Sequence, residues 1–184
     1  MYNNSMAHHN HTHHEPAELS PALDPRNHSI KDYIPLIVVV GFILLSSVIY
    51  VVLVGNTLLA WFNAIMGFFF LYFALFKLID LPGFVEGYRE YDLIARKIKA
   101  WGWAYPFIEV ALASLYLLAV TNLWLYIITI IITTINVLGV SIKLAKKEKF
   151  MCACLGTVLK VPLTTVTLIE YGLMGAMAVV MLFL

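Results

Sequence analysis

Apolar stretches about as long as a bilayer is thick recur along this chain, and nothing constrains its fold more. A helix needs about 20 residues to cross a hydrocarbon core ~30 Å thick. Ile34–Val54 and Thr57–Phe76 carry no charge, and Leu123–Ile142 carries none either. Trp103–Thr121 is interrupted only by Glu109, and Val161–Leu184 contains only Glu170. Unpaired backbone groups in lipid are costly, so runs of this length are expected to be helices. The expected fold class is an all-α membrane protein with five spans. Composition agrees: 12% of residues are charged, against about 25% in soluble domains. A soluble enzyme, a disulfide-stapled secreted domain and a nucleic-acid binder are excluded.

The first run does not read as a cleaved signal. A signal peptide has an apolar region of about 7–15 residues behind a short basic segment, whereas here 33 residues come first and the run is longer. It is expected to stay as a helix. Lys and Arg then set the orientation. Lys77, Arg89, Arg96, Lys97 and Lys99 crowd one connection, and Lys143, Lys146, Lys147, Lys149 and Lys160 another. Gly55–Asn56 and Thr121–Asn122 carry no charge. Basic loops stay in the cytoplasm, and five spans put both on one side with the N-terminus, where Arg26 and Lys31 add to the pattern. A multi-pass protein of the bacterial inner membrane is expected, N-terminus inside and C-terminus outside. Trp61 and Trp124 fall near the outer ends, and Trp101 and Trp103 near an inner end, as interfacial belts do. Gly172, Gly175 and Ala176 would let a neighbouring helix approach closely, and Thr133, Thr134 and Asn136 could bond between helices.

Three groups of residues could carry chemistry. Cys152 and Cys154 are the only cysteines, and Lys146, Lys147, Lys149 and Lys160 flank them. Nearby cations favour the thiolate, the form that attacks disulfides and binds soft metals. A redox pair would exchange with a partner's cysteines, the strain of a ring closed across one residue favouring a mixed disulfide. A metal pair would suit Cu(I), which two thiolates satisfy more readily than they do Zn(II). Read blandly, the two are incidental thiols or a palmitoylation site.

The tail, residues 1–32, carries His8, His9, His11, His13 and His14, with Pro16, Pro21 and Pro25 behind them and no apolar periodicity. It is expected to be disordered and cytoplasmic, with either a loose site for copper, nickel or zinc or a merely solvating role. The third group is intramembrane. Glu109 and Glu170 sit about two turns into their spans, where a carboxylate usually faces a partner or a cavity. Lys77 and Asp80, three residues apart at the inner end of the second span, could pair with each other. The acids are either hydrogen-bonded helix glue or the lining of a polar pocket. All six His precede residue 29, which excludes haem held by paired helix histidines. No phosphate-cradling Gly loop, zinc-protease His pair or Ser-His-Asp set is present.

Several of these residues recur in a recognisable order. The stretch Phe68–Phe84 with Lys77 and Asp80, then Tyr88, Tyr91 and Asp92, then Tyr105-Pro106-Phe107-Ile108-Glu109, resembles the MauE/DoxX-like family of redox-associated membrane proteins. The segment Cys152-Ala153-Cys154-Leu155-Gly156, followed by Pro162 and Thr167–Glu170, looks like that family's Cys-Gly-Cys-Phe-Gly region and last helix. The resemblance covers residues 60–184. It implies a four-helix membrane bundle, here spanning 56–184, with the helix at 33–55 as an N-terminal addition. The family's namesake is implicated in maturing the disulfide-rich β-subunit of methylamine dehydrogenase, a periplasmic enzyme. By that resemblance Cys152 and Cys154 are the redox pair, and Lys77, Asp80 and Glu109 are family positions. Ala153 and Leu155 depart from the usual Gly and Phe, and the extra helix and His tail are departures too. The expectation is an accessory protein for thiol–disulfide maturation, working in the bilayer on a thiol–disulfide or metalloprotein partner, homo-oligomerisation being compatible. The alternatives are a copper- or zinc-handling membrane protein and a structural subunit with inert cysteines.

Overall fold

The computed structural model describes residues 34–145 and 164–184, so the His-rich tail and both cysteines lie outside the described residues. Those residues form six helices: α1 Ile34–Val54, α2 Leu58–Ile79, α3 Leu81–Tyr91, α4 Lys99–Leu117, α5 Leu123–Ala145 and α6 Thr164–Phe183. No strand occurs among them. The described residues are all-helical. α1, α2 and Leu123–Ile142 of α5 are long and apolar enough to cross a membrane, while the apolar part of α6, Glu170–Phe183, is shorter.

The link between α1 and α2 is as short as the sequence suggests. Gly55 adopts a φ of 134°, a conformation that costs glycine little and other residues much. Thr57, placed inside the second span by its apolarity, instead caps it: its hydroxyl accepts from the Ala60 N–H at 3.1 Å. α2 is the hub, packing against α1 on one side and α4 on another, while α5 pairs with α6. Gly67 makes the α2–α4 crossing close, since an added Cβ would lie 2.6 Å from Leu117 Cγ. Gly175 does the same for α6 against Thr133 of α5, an added Cβ there meeting Oγ1 at 3.1 Å, whereas Gly172 faces open space. α1 is tied down by Tyr50, whose hydroxyl donates to Leu117 O at 2.7 Å, and by a 2.8 Å bond between Ser46 and Tyr72.

One element was not expected. Between Lys77 and Lys99 the sequence reads as a basic connection, yet Leu81–Tyr91 is helical. Asp80 ends α2 and caps α3, its Oδ1 accepting from Gly83 N at 3.1 Å, with Pro82 in the first turn. Prolines fit there because that N–H has no helical partner anyway. Phe84, Val85 and Tyr88 are buried on one face, while Glu86, Arg89 and Glu90 are exposed on the other. α4 correspondingly begins at Lys99, a turn earlier than its apolar run, and stops at Leu117 because Ala119 turns left-handed with a φ of 52°.

Candidate functional site

Each helix around the centre of the bundle contributes its buried stripe. On α2 the stripe runs Asn63, Met66, Gly67, Phe70, Phe73, Ala74 and ends on Lys77. Its spacing of three and four residues keeps one face inward, so the lysine is carried into the interior by the periodicity of its aromatic neighbours. On α4 the stripe is Gly102, Tyr105, Pro106, Glu109, Leu112, Ala113 and Tyr116. Tyr105 and Glu109, four residues apart, lie one above the other on that face.

These two stripes bring Lys77 and Glu109 together. Lys77 Nζ donates to Glu109 Oε1, and the side chains are 1% and 2% exposed. The carboxylate partner of Lys77 is therefore 32 residues away on α4, and Asp80 acts as the cap of α3. The sequence offered Asp80 as a partner for Lys77, and the structure pairs Lys77 with Glu109. Sequence proximity suggested the i, i+3 pair, but the chain breaks at Asp80 and turns away into α3. Removing one partner from a buried ion pair usually costs about 3–5 kcal/mol, so the pair locks α2 to α4.

Aromatic rings complete the setting. Lys77 Nζ lies 4.9 Å from the centre of the Tyr105 ring and 5.5 Å from that of Phe84, within the range of cation–π attraction. Phe84, Tyr88 and Tyr105 pack on one another, with Tyr88 and Tyr105 centred 4.7 Å apart. Tyr88 donates to Asp92 Oδ2 at 2.9 Å, and Asp92 Oδ1 accepts from the Ile94 and Ala95 N–H groups at 2.9 and 2.6 Å. α3 is thereby held across the end of α2 and α4. From α5, Asn136 Nδ2 donates to the Tyr105 hydroxyl at 3.0 Å. Glu170 and Tyr171 approach from α6, Glu170 within electrostatic reach of Lys77 and Tyr171 beside Tyr105. Among the described residues, three buried acceptors keep no hydrogen-bond partner: Asn63 Oδ1, Glu109 Oε2 and Asn136 Oδ1.

The motif that runs from Lys77 through Phe84, Tyr88, Asp92 and Tyr105 to Glu109 is thus assembled into one site, and the family comparison covers all of it. Residues 55–184 match the family described as methylamine utilisation protein MauE. The chain belongs to the MauE family. Neither the curated proteins nor the solved structures gave a match. The MauE match opens at Gly55, so α1 lies outside it while every residue of the buried site lies within.

Of the sequence-derived candidates, Lys77 and Glu109 come together in this MauE bundle, Asp80 caps α3 beside them, and Glu170 lies on α6 within electrostatic reach of Lys77. Cys152, Cys154, His8, His9, His11, His13 and His14 lie outside the described residues. Among the described residues no three His, Cys, Asp or Glu side chains gather as a metal site. Sequence reasoning gave no site role to Tyr105, Asn136 or Asp92. Asn136 was legible only as a helix-bridging polar group, which its bond to Tyr105 bears out. Thr133, by contrast, bonds within its own helix, to Thr129 O at 2.8 Å.

Proposed function

We propose that this MauE-family membrane protein is an accessory factor for thiol–disulfide maturation of partner proteins, with Cys152 and Cys154 as its exchanging dithiol. The membership of the family over residues 55–184 is the observation that carries this reading. In the proposed step a thiolate of the pair attacks a partner's disulfide, forms a mixed disulfide and releases the partner's other sulfur as thiolate. α4 and α6 cross the bilayer with the three longer helices in this reading, giving a four-helix bundle plus α1. The basic connections, and with them the dithiol, face the cytoplasm of the bacterial inner membrane. The buried Lys77–Glu109 pair fixes the bundle that carries the Cys segment between α5 and α6.

The test is trapping. Cys152→Ser and Cys154→Ser each remove the second thiol that would resolve a mixed disulfide. Under the proposal, at least one accumulates a heavier, reductant-sensitive species in membranes. Loss of tightly bound copper from the Ser variants, with no such species, would replace the redox reading by metal handling, since hydroxyl is a poor ligand for Cu(I). Variants indistinguishable from wild type in both respects would leave a structural subunit with inert cysteines.

A further inference from the structure

The connection from α3 to α4 is a turn with a built shape. Asp92 fixes its start through the bonds from the Ile94 and Ala95 N–H groups. The chain then folds on itself, Lys97 N donating to Ile94 O at 2.9 Å and Ile98 N to the same oxygen at 2.8 Å. Trp101 N closes on Ile98 O at 3.0 Å as α4 begins. Arg96, Lys97 and Lys99 are carried on this turn, and all three are exposed. Among the described residues none of them joins an ion pair; that pairing is Lys77 with Glu109. The exposed charges of α3, Glu86, Arg89 and Glu90, largely offset one another. Asp92 is buried with both oxygens engaged. Three cations thus stand within four residues, with no acid among them. The start of α4 adds to their sign, since Ile98 offers no side-chain cap and the first turn carries no acidic residue.

Apolar neighbours decide what these cations face. Leu93 and Ile98 are 40% and 56% exposed, and Trp103 is 41% exposed. Apolar side chains interleaved with Lys and Arg suit the boundary between headgroups and hydrocarbon, where basic side chains reach phosphate while their stems lie on apolar surface. Tryptophan favours the same level. α2, which leads through α3 into the turn, is long and apolar enough to cross a membrane, so the turn lies near the membrane surface. A bias of Lys and Arg that only sets orientation needs charges somewhere in the connection. It needs neither a fixed turn nor apolar anchors beside them.

We propose that the turn 92–99 is a docking surface for anionic phospholipid, with Arg96, Lys97 and Lys99 on the headgroup phosphate and Leu93 and Ile98 against the acyl chains. This goes beyond the maturation role and does not depend on it. The test uses full-length protein in phosphatidylcholine nanodiscs, with a trace of spin-labelled phosphatidylglycerol or spin-labelled phosphatidylcholine. Electron paramagnetic resonance reads the fraction of each label immobilised at the protein. A Lys or Arg near an anionic surface strengthens attraction roughly five-fold, so the wild type is expected to favour phosphatidylglycerol by at least about that factor. Lys97→Gln lowers the preference severalfold, and the triple change Arg96→Gln, Lys97→Gln, Lys99→Gln removes most of it. An unchanged phosphatidylcholine fraction shows that the bundle is intact in each variant. Arg89→Gln, which takes the same charge from α3, leaves the preference in place. In about 1 M salt, where the screening length falls to about 3 Å, the wild type loses it, a readout that depends on no variant. Equal immobilisation of the two lipids by the wild type overturns the proposal and leaves the turn to solvent or to an acidic protein partner. Equal losses in Lys97→Gln and Arg89→Gln also overturn it, because diffuse charge would then suffice, and so does a preference that the triple variant retains. Displacement of the lipid by inorganic phosphate at constant ionic strength would make the turn a site for a soluble anion instead.

Discussion

Asp92 shows how much one buried acceptor organises. Its two oxygens take a tyrosine hydroxyl and two backbone N–H groups, and so end α3 and start the turn toward α4. Asp92→Ala strands those donors in the interior and is expected to destabilise the protein by about 2–3 kcal/mol. Asp92→Asn keeps one acceptor oxygen and should cost clearly less. Denaturant titration of tryptophan fluorescence in detergent would compare the two, and equal losses would show that the side chain's bonds are not what matters. The Lys77–Glu109 pair invites a swap. Lys77→Glu puts three acids together and should cost about 3–5 kcal/mol, and adding Glu109→Lys should restore most of the yield of folded protein. No recovery in the double variant would argue against direct pairing. What sequence showed here was that Glu109 needs a partner. The identity of that partner was not legible, because Asp80 is nearer to Lys77 along the chain and only the break at Asp80 removes it from the interior.

At the scale of elements, hydropathy located the long helices to within a turn, because lipid-facing and core-facing residues are both apolar and the run length alone marks a span. It missed α3, whose signal is of another kind: a capping Asp80, Pro82 in the first turn, and Phe84, Val85 and Tyr88 spaced along one face. It also carried the third span past Leu117, because no glycine advertises the left-handed turn at Ala119. Ala119→Gly should relieve that conformation and raise stability by up to about 1 kcal/mol, measured by thermal unfolding. The close crossings make the opposite prediction. Gly67→Ala forces its new methyl against Leu117 and should cost about 1–3 kcal/mol. Gly172→Ala meets nothing within 4 Å and should be neutral or mildly stabilising, as alanine favours helix over glycine. Equal effects at the two glycines would mean that the α2–α4 crossing is looser than described.

For the whole molecule, the expected arrangement in the membrane rests on the placement of Lys and Arg. A reporter active only outside the cytoplasm should be active when fused after Leu184 and silent when fused between Lys143 and Lys149. The reverse pattern would put the Cys segment in the oxidising compartment. Removing residues 1–20 should leave membrane insertion unchanged, as judged by carbonate extraction, because a polar tail contributes no apolar surface to the bundle.

The separation of the two ion-pair partners also has a consequence for how the chain is made. Lys77 leaves the ribosome 32 residues before Glu109, so for that interval the lysine lacks the carboxylate it pairs with in the folded bundle. The lysine's long stem lets it wait at the headgroup level, and α2 can settle inward only once α4 has arrived. Final assembly of the bundle is thus timed by the synthesis of its third long helix. A nascent chain stalled before residue 109 would leave Lys77 at the membrane surface, without the partner that draws it into the bundle.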